Sequence, residues 1–191
     1  MIKKINYFLQ AFLIYSFFLI GRILGIKISR KVFAFLFSFF GPFIKSKKIV
    51  NNNLQIFLKK NSKFKKDEII NNMWKNYGMT FIEYIFLDVF LKKKTEVEII
   101  GEINLINIIR ENDPVIFISG HFANFELMSM EIAKRNISLA TIYRPLNNNF
   151  LNPFMEYLRK KYICKNQIKK GINGVKEAIE FIKQKHSIAC L

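Results

Sequence analysis

The sequence predicts an α/β fold: membrane-associated helices at the N-terminus, then a mixed or parallel sheet flanked by helices. Three observations predict it. A run of 17 residues without charge, Ile5–Gly21, opens the chain between Lys3-Lys4 and Arg22. Residues 1–66 carry 14 Lys or Arg and no acid, whereas residues 95–191 carry 13 basic and 10 acidic groups. From Val97 onward, short apolar runs of strand length alternate with helical patterns, as in a sheet with crossover helices.

The 191 residues suffice for one domain with a substantial core. Hydrophobic residues make up 51% of the chain, and 21 of them are Phe, so some apolar surface is expected to face something other than water. The net charge of +17 owes part of its size to a composition rich in Lys, Ile and Asn. A uniform bias would spread the excess evenly, yet the first carboxylate is Asp67. A basic segment interleaved with apolar runs suits an anionic membrane surface, worth about 1 kcal/mol per cation near the headgroups. Nucleic acid is the rival partner. Runs such as Val32–Phe40 are too apolar for a nucleic-acid groove, so no nucleic-acid partner is expected. Cys164 and Cys190 are too few and too widely spaced for a zinc site or a disulfide framework. Neither a metal nor a cofactor is expected, and both thiols read as reduced.

Ile5–Gly21 lies at the lower limit of length for a transmembrane helix. Gly21-Arg22-Ile23-Leu24 is a poor cleavage site, which favours a retained anchor over a signal peptide. Val32–Ile44 is too short to span, is interrupted by Gly41-Pro42, and reads as an interfacial or re-entrant piece. Cations flank the first run on both sides, which leaves its orientation open. Residues 1–48 thus form an anchor and interfacial segment, and residues 49–191 the α/β domain. The Lys59–Lys66 run and Lys169-Lys170 read as solvated or headgroup-facing charge. From Asp67 to Phe86 the apolar positions keep helical spacing, with Asp67 and Glu68 at the favoured end of the helix dipole. Trp74 and Tyr77 on this helix are expected in a core or an interface.

Beyond Lys92-Lys93-Lys94, Val97–Ile100 reads as a short strand, Ile103–Arg110 as a helix and Asn112-Asp113-Pro114 as a turn. Val115–Ser119 is a buried strand followed at once by Gly120-His121, and Asn124–Lys134 a helix. Leu139–Tyr143 is the next strand, and Asn152-Pro153 caps and starts a helix through Tyr162. Asn173 opens a helix with Val175, Ala178, Ile179 and Ile182 on one face, and Ile188–Leu191 begins a further strand. That strand enters a core with nothing after it, so the domain is expected to be incomplete at its C-terminus.

The chemistry concentrates in Ser119-Gly120-His121-Phe122-Ala123-Asn124-Phe125-Glu126, between a buried strand and a helix, where α/β sheets present catalytic groups. On one continuous helix, His121 and Glu126 would stand about 140° apart and pair poorly. With His121 in the loop and Glu126 in the first turns, the carboxylate folds back toward the imidazole. That makes a base with an orienting acid. Gly120 permits tight backbone geometry, and amides at the helix start suit a developing oxyanion. A bare H-x4-E is equally what a turn histidine and a helix-start carboxylate would produce.

Gly120-His121-x-x-Asn124-Phe125-Glu126 resembles the G-H-x-G-N-W-E signature of the bacterial lipid A biosynthesis acyltransferases, the lauroyl/myristoyl transferase family. Val50-Asn51-Asn52-Asn53-Leu54 resembles the family's R-x-x-x-N-L segment. The helix with Trp74, Gly78 and Glu83 resembles its W-x-N-x-G-x-x-x-x-E. Tyr143-Arg144-Pro145 with Leu158-Arg159 resembles its R-P…L-R segment. Ala123 and Phe125 replace the commoner Gly and Trp. The family's Asp-Gln pair after the strand near Ile188 falls beyond Leu191, as though the C-terminal third were missing.

The resemblance implies a glycerolipid-acyltransferase-like fold at the cytoplasmic side of a bacterial inner membrane. It implies transfer of a fatty acyl chain from acyl carrier protein to a hydroxyl of a lipid A precursor. His121 would take the hydroxyl proton and Glu126 orient the imidazole, with Gly120 and Asn124 among the substrate-binding residues. Arg144 and Arg159 would meet anionic groups, either the acceptor's phosphates or the carrier's phosphopantetheine. The competing readings are a glycerolipid acyltransferase, which uses H-x4-D, and a membrane-tethered basic nucleic-acid-binding protein.

Overall fold

The computed structural model describes residues 1–44, 47–58, 65–92 and 97–190. Most of the Lys59–Lys66 run, Lys93-Lys94 and Leu191 lie outside the described residues. Among these residues the elements follow in the order α1 (Ile2–Ile44), α2 (Lys47–Leu58), α3 (Lys66–Glu83), a 3-10 turn (Tyr84–Phe86), α4 (Leu87–Lys92), α5 (Glu102–Glu111), β1 (Ile116–Ile118), α6 (Glu126–Lys134), β2 (Leu139–Tyr143), α7 (Asn152–Tyr162), β3 (Asn166–Lys169), α8 (Ile172–Lys183) and β4 (Ser187–Cys190). They group into two compact units, residues 16–86 and residues 1–15 with 87–191.

In the first of these units, a break in α1 sets the architecture. Gly25 takes φ 75° and ψ 161°, a conformation outside any helix that L side chains rarely adopt. The chain folds back there, and the rings of Phe17 and Phe33 meet at 5.6 Å. Sixteen residues of unbroken helix would hold them about 24 Å apart. The Ser29 hydroxyl, buried in the turn, donates to the Gly21 carbonyl at 2.7 Å. The expected interruption at Gly41-Pro42 does not occur, because the helix continues through Pro42 to Ile44. A proline so near the helix end forfeits little of the hydrogen-bond ladder, and Gly41 packs directly against the Trp74 ring.

The three residues that α3 shares with the resembled motif each have a packing role. Trp74 is 7% exposed and buried as expected, whereas Tyr77 is 47% exposed. Gly78 lies so close to the Phe33 carbonyl that no Cβ could fit between them. Glu83 accepts a hydrogen bond from Arg30 Nε at 2.7 Å, and Phe81 touches Phe18, Phe33 and Phe37. The outer surface of α1 leaves Leu19, Ile23, Phe35, Phe39, Phe43 and Ile44 exposed. By length and composition α1 is suited to a membrane.

The second unit holds a wholly parallel four-stranded sheet in the order β1-β4-β2-β3. The last strand in sequence is therefore inserted between the first two. Helix α8 covers one face, where Ala178, Phe181 and Ile182 pack on Ala140, Ile142, Ile168 and Ile188. Side chains alternate along β2, so Thr141 and Tyr143 point to the opposite face, that of α6 and α7. Helix α4 packs against both of those helices, with Leu87 and Phe90 fully buried. Residues 1–15 of α1 belong to this unit. Tyr15 donates to the Phe150 carbonyl at 2.8 Å, and the buried Asn148 amide donates to the Tyr7 carbonyl at 2.8 Å.

Three sequence expectations differ here. The strand expected to be buried at Val115–Ser119 is the shorter β1, which leaves Ile116 (60%) and Ile118 (83%) exposed because it lies at the end of the strand order, paired among the described residues with β4 alone. Residues 97–100 form no strand, since none of the four strands pairs with them. β3, which carries no strand pattern in the sequence, has one apolar residue, Ile168, completely buried, and among the described residues it pairs only with β2.

Candidate active site

Three loops leave the carboxyl edge of the sheet, and each carries a basic side chain into one cleft of about 350 Å³. His121 follows β1, Arg144 follows β2 and Lys170 follows β3. This edge is where open parallel sheets bind ligands. Glu126 from α6, Arg159 from α7, and Thr141, Tyr143 and Gln167 from the sheet complete the wall and floor.

His121 stands at the apex of a tight turn in which the Phe122 amide donates to the Gly120 carbonyl at 2.8 Å. The turn hangs from the sheet through the Ser119 amide, which donates to the Cys190 carbonyl at 3.2 Å. Gly120 lies under the Phe122 ring, where an added Cβ would come within 2.6 Å. His121 is exposed at the cleft, its ring 4.3 Å from that of Phe125. Ala123 has φ 46°, the left-handed conformation, at the position where the resembled signature carries Gly. That reversal turns the chain into α6, which begins at Glu126 rather than at Asn124. Asn124 is half-buried at the junction, its carbonyl accepting from the Leu127 amide at 3.2 Å. Gly120 and Asn124 shape the turn, while His121, Glu126, Arg144 and Arg159 converge on the cleft.

Glu126, 4% exposed, is held by Arg159, itself 9% exposed. Arg159 Nε and Nη2 both reach Glu126 Oε1 at 2.7 Å. The pairing fixes the carboxylate and neutralises it in a site where a lone charge would be costly. The guanidinium also lies over the Tyr143 ring, 5.3 Å from its centre. Burial, with help from the Glu156 carboxylate, pushes the Tyr143 phenol up to about 12. On the floor, Thr141 and Gln167 are register partners across β2 and β3. Gln167 Nε2 donates to the Cys164 carbonyl at 2.9 Å, while Gln167 Oε1 and Thr141 Oγ1 have no partner among the described residues. They leave hydrogen-bonding capacity for a ligand.

The family model for bacterial lipid A biosynthesis acyltransferases matches residues 2–191. The chain belongs to that family. It is an acyltransferase of the lipid A biosynthetic kind, with a long apolar N-terminal helix. No curated protein and no solved structure matches it.

Sequence reasoning missed three residues of this acyltransferase's cleft: Thr141, Gln167 and Lys170. Lys170 read as solvated charge because the strand that delivers it, β3, went unseen. The Glu126–Arg159 pair joins residues 33 apart in sequence and has no local signal.

Proposed function

We propose that this protein moves a fatty acyl chain from acyl carrier protein to a hydroxyl of a lipid A precursor, at the cytoplasmic face of the bacterial inner membrane. The observation that carries the reading is the placement of an exposed His121 and a buried Glu126 in one cleft with Arg144, on a chain of this family. Residues 1–48 serve as anchor and interfacial segment, and residues 49–191 carry the chemistry.

In the proposed mechanism, His121 accepts the proton of the acceptor hydroxyl as its oxygen attacks the thioester carbonyl carbon. The resulting oxyanion is met by backbone amides around the loop–helix junction. Collapse breaks the carbon–sulfur bond, and the departing thiolate takes the proton back from the imidazolium. The ester and the free thiol of the carrier are the products. Glu126 orients the imidazole and stabilises its cationic form, and Arg159 positions Glu126. Arg144 binds an anionic group of the substrates.

The test is acyl transfer by the full-length natural gene product in detergent micelles, from acyl carrier protein to a lipid A precursor. His121→Ala is expected to lower kcat by about 10²–10⁴-fold, the usual share of a positioned general base, with its unfolding temperature unchanged. Retained activity in that variant would overturn the mechanism. Replacing the acceptor with lysophosphatidic acid should abolish turnover, and efficient use of it would point to a glycerolipid acyltransferase instead.

A further inference from the structure

We propose that Lys170 and Arg144 together form a two-cation seat for a phosphate group of a substrate, at the rim of the cleft that holds His121. The inference rests on the acyl-transfer reading and extends it to a residue not assigned so far.

The geometry follows from sheet register. Tyr143 of β2 and Lys169 of β3 are the last registered pair, and the Lys170 amide donates to the Tyr143 carbonyl at 2.9 Å. Arg144 and Lys170 are therefore the next residues along two hydrogen-bonded strands, with backbones about 5 Å apart. Both side chains line the cleft. Like charges placed side by side repel, and among the described residues no carboxylate lies within ion-pair distance of either one. The cleft's one carboxylate among these residues, Glu126, is already held by Arg159. The cleft lining contains Arg144, Arg159 and Lys170 against Glu126, an excess of two positive charges with His121 neutral. A ligand that balances this excess is dianionic.

The same cleft also offers a donor to oxygen ligands. Thr141 is 3% exposed, lines the cleft, and its hydroxyl has no partner among the described residues. A planar guanidinium and a mobile ammonium side by side suit a phosphate, which offers three acceptor oxygens. Lys169, one residue earlier, provides the contrast. It points to the other side of β3, is 63% exposed and lies 4.0 Å from Glu156.

A phosphate could reach this seat on the acceptor lipid or on the phosphopantetheine arm of the donor, and the experiment separates the two. Inorganic pyrophosphate is first titrated into the detergent-solubilised full chain while its unfolding temperature is followed. Wild type and Lys169→Ala should be stabilised alike, Lys170→Ala and Arg144→Ala should lose the effect, and Lys170→Arg should keep most of it. Equal stabilisation of wild type and Lys170→Ala would overturn the seat, whatever the fate of the His121 mechanism, because no turnover is involved. The source is then read from KM. Lys170→Ala should raise KM about tenfold or more for the substrate that carries the phosphate, with kcat little changed. The penalty should vanish when that substrate lacks the phosphate, either a dephosphorylated acceptor or an acyl-pantetheine donor. A penalty that persists with both phosphate-free substrates would overturn the assignment.

Discussion

Ala123 and the Glu126–Arg159 pair place two different kinds of constraint within four residues. Ala123 holds φ 46°, where a Cβ is strained and glycine is not. Ala123→Gly is therefore expected to stabilise the protein by about 0.5–1 kcal/mol, since relief of strain outweighs the entropy glycine brings to the unfolded chain. Chemical denaturation in micelles would reveal it, and a destabilised variant would mean the turn is held by something other than backbone preference. Glu126→Ala acts in the opposite direction. It leaves the Arg159 guanidinium buried beside an empty space, and breaking such a pair typically costs about 3–5 kcal/mol. A double variant, Glu126→Leu with Arg159→Met, removes both charges and should regain most of that stability without regaining acyl transfer. If the double variant is no more stable than Glu126→Ala, charge burial is not the cause of the loss. The comparison separates Glu126's structural contribution from the orienting role proposed for it, which the loss of activity in a single variant would confound.

At the scale of elements, two glycines of the 16–86 unit make contrasting demands. Gly78 faces the Phe33 carbonyl with no room for a methyl group, whereas around Gly25 there is open space and only the backbone angle is demanding. Gly78→Ala must force α3 away from α1, and it is expected to cost several times more than Gly25→Ala, whose strain is about 1–2 kcal/mol. Limited proteolysis of both variants in micelles would show it as earlier cleavage within 66–86 for Gly78→Ala. Equal resistance would mean the two helices can separate without loss.

The same scale shows what a single chain of letters can convey. β2 matches its expected limits and α7 differs only in being capped by Leu151 rather than Asn152, because an apolar run and an Asn-Pro start are local signals that burial reinforces. Gly41-Pro42 misled, since packing against Trp74 outweighs one lost hydrogen bond, while Gly25 sits among ordinary helix formers and gives no warning. β3 is an edge strand of Asn, Gln, Ile and Lys, residues that pattern alone places in a loop. The consequence reached the site: His121 and Glu126 were legible from the strand–Gly–His context, but Lys170 was not. Arg159 was legible as a cation, and only the fold brings it to Glu126.

For the whole molecule, the first fifteen residues are both part of an apolar helix and part of the unit that holds the cleft. Deleting 1–44 should do two things at once. It should release much of the protein from membranes after a carbonate wash. It should also expose the loop at 146–151, which loses the Tyr7 carbonyl and the Tyr15 hydroxyl as partners and should be cut early by protease. Release without any change in protease sensitivity would show that the helix anchors the protein but does not brace the loop.

The strand order also sets a timetable. β1 pairs, among the described residues, only with β4, and the register partners Ile116 and Ile188 are 72 positions apart. At a synthesis rate of roughly 5–20 residues per second, the chain segment bearing His121 waits roughly 4–14 s for the strand that β1 pairs with. β2 and β3 can pair first, β4 then docks on β2, and β1 joins last. A nascent chain therefore has no organised His121 loop until β4 has been made, since the Ser119 amide donates to the Cys190 carbonyl. On the acyl-transfer reading proposed above, a chain that folds in this order has no working site to spend an activated acyl chain on water before β4 is made.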